Sequence, residues 1–139
     1  MPKGSISFFF EDIEFKIYKK KIISLLETTL RYEKKKLKSI NYIFCSDKFL
    51  HQINLKFLNH DTLTDVITFK YGDDNYIDGE IYISLDRVKE NGKIFNEEIY
   101  DELLRVIIHG ALHLCGYNDV GEEEKKIMRQ KEDFYLKMK

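Results

Sequence analysis

The stretch IIHGALHLCGYND, residues 107–119, sets His109 and His113 four residues apart, with glycines at 110 and 116 and Asp119 six residues beyond the second histidine. The segment from Leu103 to Cys115 is apolar nearly all round, with Leu103, Leu104, Val106, Ile107, Ile108, Ala111, Leu112 and Leu114. A helix of that kind is buried in a core. One polar stripe interrupts it at intervals of four: Asp101, Arg105, His109 and His113. Residues four apart share a helix face, with Cβ atoms about 5–6 Å apart, so the two imidazoles can address one cation.

One helix face cannot surround an ion. Gly116 can adopt φ > 0 just past the helix and swing the chain back. Asp119 then arrives to complete a His₂Asp set, leaving one tetrahedral position for water, which marks a catalytic zinc site rather than a structural one. The catalytic element expected is therefore a metal-bound water held by His109, His113 and Asp119. Cys115 lies about 200° around the helix from His113 and belongs to the core. A lone histidine on an apolar helix is usually a satisfied core residue. A pair at metal spacing, followed by a glycine turn and a carboxylate, favours the ion.

The zinc-peptidase pattern H-E-x-x-H-x-x-G-x-x-H shares both histidines and the glycine with this segment, but Gly110 stands where those enzymes carry the glutamate base. A peptidase is disfavoured. Hydrolysis by a metal-activated water remains, and a phosphodiester is a better substrate than a peptide. Histidine and carboxylate donors suit zinc best, and nickel or iron accept the same set.

Working outward, SISFFF (5–10) alternates as a strand, and residues 15–38 carry the Ile22, Leu26, Leu30 stripe of an amphipathic helix. INYIFCS (40–46) and TDVITFKY (64–71) read as strands, with a helix between them capped at Ser46 or Asp47 and running to about Leu58. The acidic loop GDDNYIDG lacks the ligand spacing of a calcium loop and leads into the strand EIYIS. A short helix from Asp86 ends at Gly92, Asn96 caps the long helix, and a charged helix fills 122–137. The expected fold is α+β: a single small domain over residues 1–139, with a mixed sheet of about four strands packed with about five helices and the metal site at the end of the central buried helix.

Composition agrees. With 43% hydrophobic and 34% charged residues, the 139-residue chain can bury a core and is not disordered. No apolar run approaches the roughly 20 residues that cross a bilayer, and the N-terminus is not a signal peptide, so no membrane partner and a cytoplasmic location are expected. Two cysteines, Cys45 and Cys115, form no disulfide or CxxC framework. The net charge of −1 is uninformative, yet residues 16–38 hold nine basic residues against two acidic ones, a local charge of +7. Such a cluster suits either a solvated helix face or phosphate contacts.

The segment HGALHLCGYND resembles H-G-x-L-H-L-x-G-Y-D-H, the signature of the YbeY family of bacterial metal-dependent endoribonucleases, the rRNA maturation factors. INLKFLNHDTLTDVITF (53–69), GEIYIS (79–84) and IMRQKEDFYL (127–136) are similar to further family segments in the same order. The resemblance implies a zinc-binding cytoplasmic hydrolase that cuts single-stranded RNA, matures the 16S rRNA 3′ end and takes part in ribosome quality control. Its partners would be ribosomal RNA, the small ribosomal subunit and ribosome-associated proteins. His109 and His113 match the first two zinc ligands. Asp119 stands where the family usually has histidine, and Leu58 where many members carry an arginine that would clamp a phosphate. Arg105 is a candidate substitute for substrate binding, with an i, i+4 pair to Asp101 as its alternative; Lys70 and Arg87 are others. These departures motivate a second reading, a non-catalytic ribosome assembly factor whose metal is structural. A zinc peptidase rests on ligand spacing alone.

Overall fold

The computed structural model describes residues 4–58, 64–73 and 75–139. Asp74 of the acidic loop lies outside the described residues. A four-stranded sheet has the order β1-β2-β4-β3, built from β1 (Ser5–Phe10), β2 (Lys36–Cys45), β3 (Val66–Tyr71) and β4 (Tyr76–Ser84). β1, β2 and β4 run parallel, and β3 pairs antiparallel with β4. Parallel neighbours need a crossover, and α1 (Lys19–Tyr32) supplies it between β1 and β2. α2 (Asp47–Ile53), a π-helical turn (Asn54–Leu58) and β3 intervene before β4. α3 (Leu85–Ile94), α4 (Ile99–Leu114) and α5 (Glu122–Leu136) follow. The mixed sheet and five helices are those expected from the pattern.

Alternation in the strands decides which face is covered. Ile40, Tyr42 and Phe44 of β2 and Ile77, Ile81 and Ile83 of β4 are buried in one cluster with Leu103, Val106, Ile107, Ala111 and Leu114 of α4. The opposite face holds a smaller cluster, Cys45, Leu50 and Ile67, beneath α2. α4 lies very close to the sheet. A Cβ at Gly110 would meet Ile81 Cγ2 at 2.8 Å, and one at Gly79 would meet the Phe69 carbonyl oxygen at 2.5 Å and Leu114 Cδ2 at 2.9 Å. The buried Tyr42 hydroxyl donates to the Ile107 carbonyl at 2.8 Å and ties α4 to the central strand.

Several boundaries differ from those the pattern predicts, and the backbone shows why. α1 stops at Tyr32, and β2 begins at Lys36 inside the span expected to be helical. Lys34 takes φ 60°, with Lys35 N–H donating to Leu30 O and Lys34 N–H to Arg31 O, a Schellman stop without its usual glycine. Asn96 does the same for α3, at φ 53° with Glu97 N–H donating to Gly92 O and Asn96 N–H to Lys93 O. It therefore closes α3, Gly92 lies inside that helix, and Glu98 is the N-cap of α4. Asparagine tolerates left-handed backbone because its short polar side chain bonds locally. Ser46 caps α2 as expected, its hydroxyl accepting from Phe49 N–H at 3.1 Å.

The fit of α4 against β4 yields a first prediction. Gly110→Ala should lower stability by about 1–3 kcal/mol, because even one methyl overfills the Ile81 contact. Urea unfolding monitored by circular dichroism measures it; an unchanged midpoint would mean that the helix stands further from the sheet.

Candidate metal centre

His109 and His113 sit on successive turns of α4, their Nε2 atoms 3.0 Å apart. Gly116, at φ 108°, ends the helix in a further Schellman motif, with Tyr117 N–H donating to Leu112 O and Gly116 N–H to His113 O. That turn returns the chain so that Asp119 Oδ2 lies 3.2 Å from His109 Nε2 and Oδ1 lies 3.7 Å from His113 Nε2. The three residues named from the sequence are thus brought together, with one donor atom from each within 4.8 Å of the others. Cys115 packs with the core, and burial pushes its thiol up to about 12.

The outer ring nitrogens explain what the inner ones can do. His109 Nδ1 is 2.6 Å from Glu132 Oε2, and His113 Nδ1 is 2.9 Å from the Tyr117 carbonyl oxygen. Both neighbours are acceptors, so each neutral imidazole carries its proton on Nδ1 and presents a bare Nε2 lone pair inward. With both rings neutral, two lone pairs and the Asp119 carboxylate face one another. Such a donor set could hold a metal ion. The two rings differ in basicity. Burial lowers the His109 pKa, but the Glu132 hydrogen bond and charge, with Asp119, outweigh it and hold the group above its ordinary value. Burial and the neighbouring His109 keep His113 below its own.

Glu132 is the residue that spacing could not reveal, standing on a different helix 23 positions from His109. It is 4% exposed and divides its oxygens between His109 and Arg105, whose Nη1 is 2.9 Å from Oε1. Arg105 Nη2 also contacts Asp133 at 2.8 Å, so the arginine clamps α4 to α5. It does not pair with Asp101, which takes Lys139 at 2.7 Å instead. Arg87 is bound to Asp47 at 3.0 Å, while Lys70 pairs with Gly79 in the β3–β4 register. A half-buried acid, Glu33 at the end of α1, accepts from the Tyr117 and Tyr135 hydroxyls and from Lys131 Nζ, supporting the loop whose carbonyl holds His113.

His109 and Asp119 border a cavity of about 290 Å³, whose other walls include Asp65, Glu102, Lys125 and Arg129. A larger groove of about 500 Å³ between α1 and the end of the chain includes none of the three donors. No described helix is long and apolar enough to cross a membrane.

Residues 7–139 match the profile of the family described as endoribonuclease YbeY. An endoribonuclease YbeY from Amoebophilus asiaticus is 50% identical over 138 residues, covering 98% of this chain and 94% of that one. One from Christiangramia forsetii is 44% identical over 133 residues, covering 96% and 93%. Among solved structures, the solution structure of TM1509 from Thermotoga maritima aligns with a TM-score of 0.70 at 32% identity, over 96% of this chain and 87% of that one.

Glu33 supplies a test of how the site is supported. Burial raises its pKa, but the bonds from Tyr135, Tyr117 and Lys131 outweigh burial and hold it below the usual 4.5. A carboxyl depressed on folding stabilises above its unfolded value, and that contribution disappears as pH falls through the folded value. Glu33→Gln should therefore cost about 1–3 kcal/mol at pH 7. The gap from wild type should narrow steadily below about pH 4.5. Denaturant titrations across that range measure it, and a gap constant with pH would assign the loss to shape alone.

Proposed function

The chain belongs to the endoribonuclease YbeY family, and we propose that it is a metal-dependent endoribonuclease that cuts single-stranded RNA. Its substrate in this reading is ribosomal RNA, with maturation of the 16S 3′ end and ribosome quality control as its tasks, carried out in the cytoplasm on the small ribosomal subunit. The observation that carries the metal is the anchoring of both outer ring nitrogens, which leaves two Nε2 lone pairs and the Asp119 carboxylate aimed at one point. Family membership carries the RNA.

His109, His113 and Asp119 would hold the ion, with zinc the best match to the donors. When bound, it supplies Lewis acidity and makes water a stronger acid. The chain's own residues do the rest. Glu132 fixes the tautomer and ring plane of His109, and the Tyr117 carbonyl does so for His113. Arg105 balances Glu132 and Asp133, so its part is mainly to hold the histidine's partner in place, although it also lines the cavity. Lys125 and Arg129, both exposed and one turn apart on α5, border the cavity beside His109 and Asp119. They provide positive charge where a phosphate would lie, a task the resemblance assigns to the position Leu58 fills. Gly110 contacts the sheet, so nothing at that position reaches the substrate. The lysines of α1 are exposed and suit sequence-independent phosphate contacts.

Two measurements test this reading. Protein purified without chelator or affinity tag should carry about one zinc per chain, as a three-ligand catalytic site does, and His113→Ala should carry none. The wild type should cut single-stranded rRNA fragments and spare duplexes; chelation should abolish cleavage and added zinc restore it. Cleavage that persists in His113→Ala would refute the assignment, and tight binding to the small subunit without cleavage would replace the nuclease with an assembly factor. Arg129→Ala should weaken RNA binding and flatten its salt dependence by about one unit of slope, measured by anisotropy over a range of salt concentrations.

A further inference from the structure

Glu102 lies two turns before His109 on α4, roughly 10 Å along the helix axis, and is the anomaly of its face. It is only 7% exposed, yet no side-chain hydrogen bond or ion pair holds it among the described residues. Arg105, His109 and His113 further along the stripe all have partners. No fully buried polar side-chain atom among the described residues lacks a partner, so the Glu102 oxygens open onto the cavity that they line with His109. An acid in the first turn of a helix suits the dipole, but the dipole supplies the Glu102 carboxylate with no hydrogen-bond partner. Asp101 already fills the dipole's role at the surface.

Two further side chains border the cavity at this end. Phe95, which follows α3, is 60% exposed and presents its ring to the cavity's border. Asn91, one turn earlier, brings an amide that both donates and accepts. An exposed ring, an amide and an unpartnered acid beside a metal triad are the elements with which proteins grip an unstacked base: a face to stack on and groups that read its edge. The volume of about 290 Å³ is at the small end of ligand pockets, fit for one nucleotide rather than a peptide segment.

The geometry points to a nucleobase subsite here, in which Phe95 stacks on the base next to the cut phosphodiester and Glu102 with Asn91 selects guanine. An ionised carboxylate only accepts hydrogen bonds. Guanine alone presents two adjacent donors, N1–H and N2–H, on its Watson–Crick edge, beside an O6 that the Asn91 amide can meet. Adenine and cytosine each place a bare ring nitrogen beside their one amino group, and uracil flanks its single N–H with two carbonyls. This subsite rests on the endoribonuclease reading, and it assigns that enzyme a sequence preference.

The test uses the zinc-loaded full chain at pH 8 and short 2′-O-methyl oligonucleotides, which resist cleavage: a uridine tract carrying one guanosine or one adenosine. Anisotropy should show the guanosine strand bound at least about tenfold more tightly, the discrimination that a two-bond contact supplies. Glu102→Gln, which loses one of the two acceptors, should bind both strands alike while melting at the wild-type temperature. Phe95→Ala, at an exposed position that does not threaten folding, should weaken both strands by about tenfold and keep their ratio. If Glu102→Gln fails to fold, Asn91→Ala replaces it and should reduce the guanosine preference alone. Equal affinity in the wild type, or a preference that survives in Glu102→Gln, overturns the subsite. Unmodified strands separate the two ideas: cleavage without base preference removes the subsite and leaves the nuclease. Guanosine-selective binding without cleavage removes the nuclease and leaves the subsite.

Discussion

The molecule turns on how closely α4 approaches the sheet. Gly110 rests on Ile81, Leu114 rests over Gly79, and the Tyr42 hydroxyl reaches the Ile107 carbonyl. Protein interiors transmit position because they are close-packed and barely compressible. Seating the helix at that distance therefore sets the depth and rotation of His109 and His113. The position next to the first histidine, where zinc peptidases keep their base, serves packing here. A glutamate would not fit without moving the helix. The same glycine that excludes one chemistry thus fixes the geometry of another.

Around that helix the site is held from outside. Each imidazole is gripped at its far nitrogen, one by a carboxylate on α5 and the other by a carbonyl in the turn after Gly116. Those grips are themselves secured, Glu132 by Arg105 and the turn by Glu33 through Tyr117. Buried acids carry a desolvation cost that only fully satisfied networks offset. Glu132 meets it with Arg105 and His109, and the half-buried Glu33 with two tyrosine hydroxyls and Lys131. The inward-facing donors of His109, His113 and Asp119 lie close enough together to hold one metal ion.

Much of the fold was legible because apolar period and punctuation agree along most of the chain. The four strands, the buried helix and the glycine turn before Asp119 all appear, although β2 and β4 begin four residues earlier than the pattern put them. Two of the missed helix boundaries share one cause. Lys34 and Asn96 stop helices in left-handed backbone that glycine normally marks, so α1 looked too long and Asn96 looked like a cap. The hydrogen bonds that compensate them are local, yet the side chains give no warning. Arg105 was legible as a residue on the site's stripe, but its partners were not, since Glu132 and Asp133 lie on a helix distant in sequence.

The sequence by itself determined which three side chains come together at the end of α4. Two histidines four apart on an apolar helix, then a glycine and a carboxylate, are constraints of covalent spacing and helical period, and both act within a dozen residues. Tertiary structure alone decided which nitrogen of each ring faces inward, which acid holds His109, and that Glu102 opens on a cavity beside Phe95. Those facts depend on α3 and α5 packing against α4. Burial and long-range hydrogen bonds follow from that packing, because contacts between distant segments leave no period in the chain.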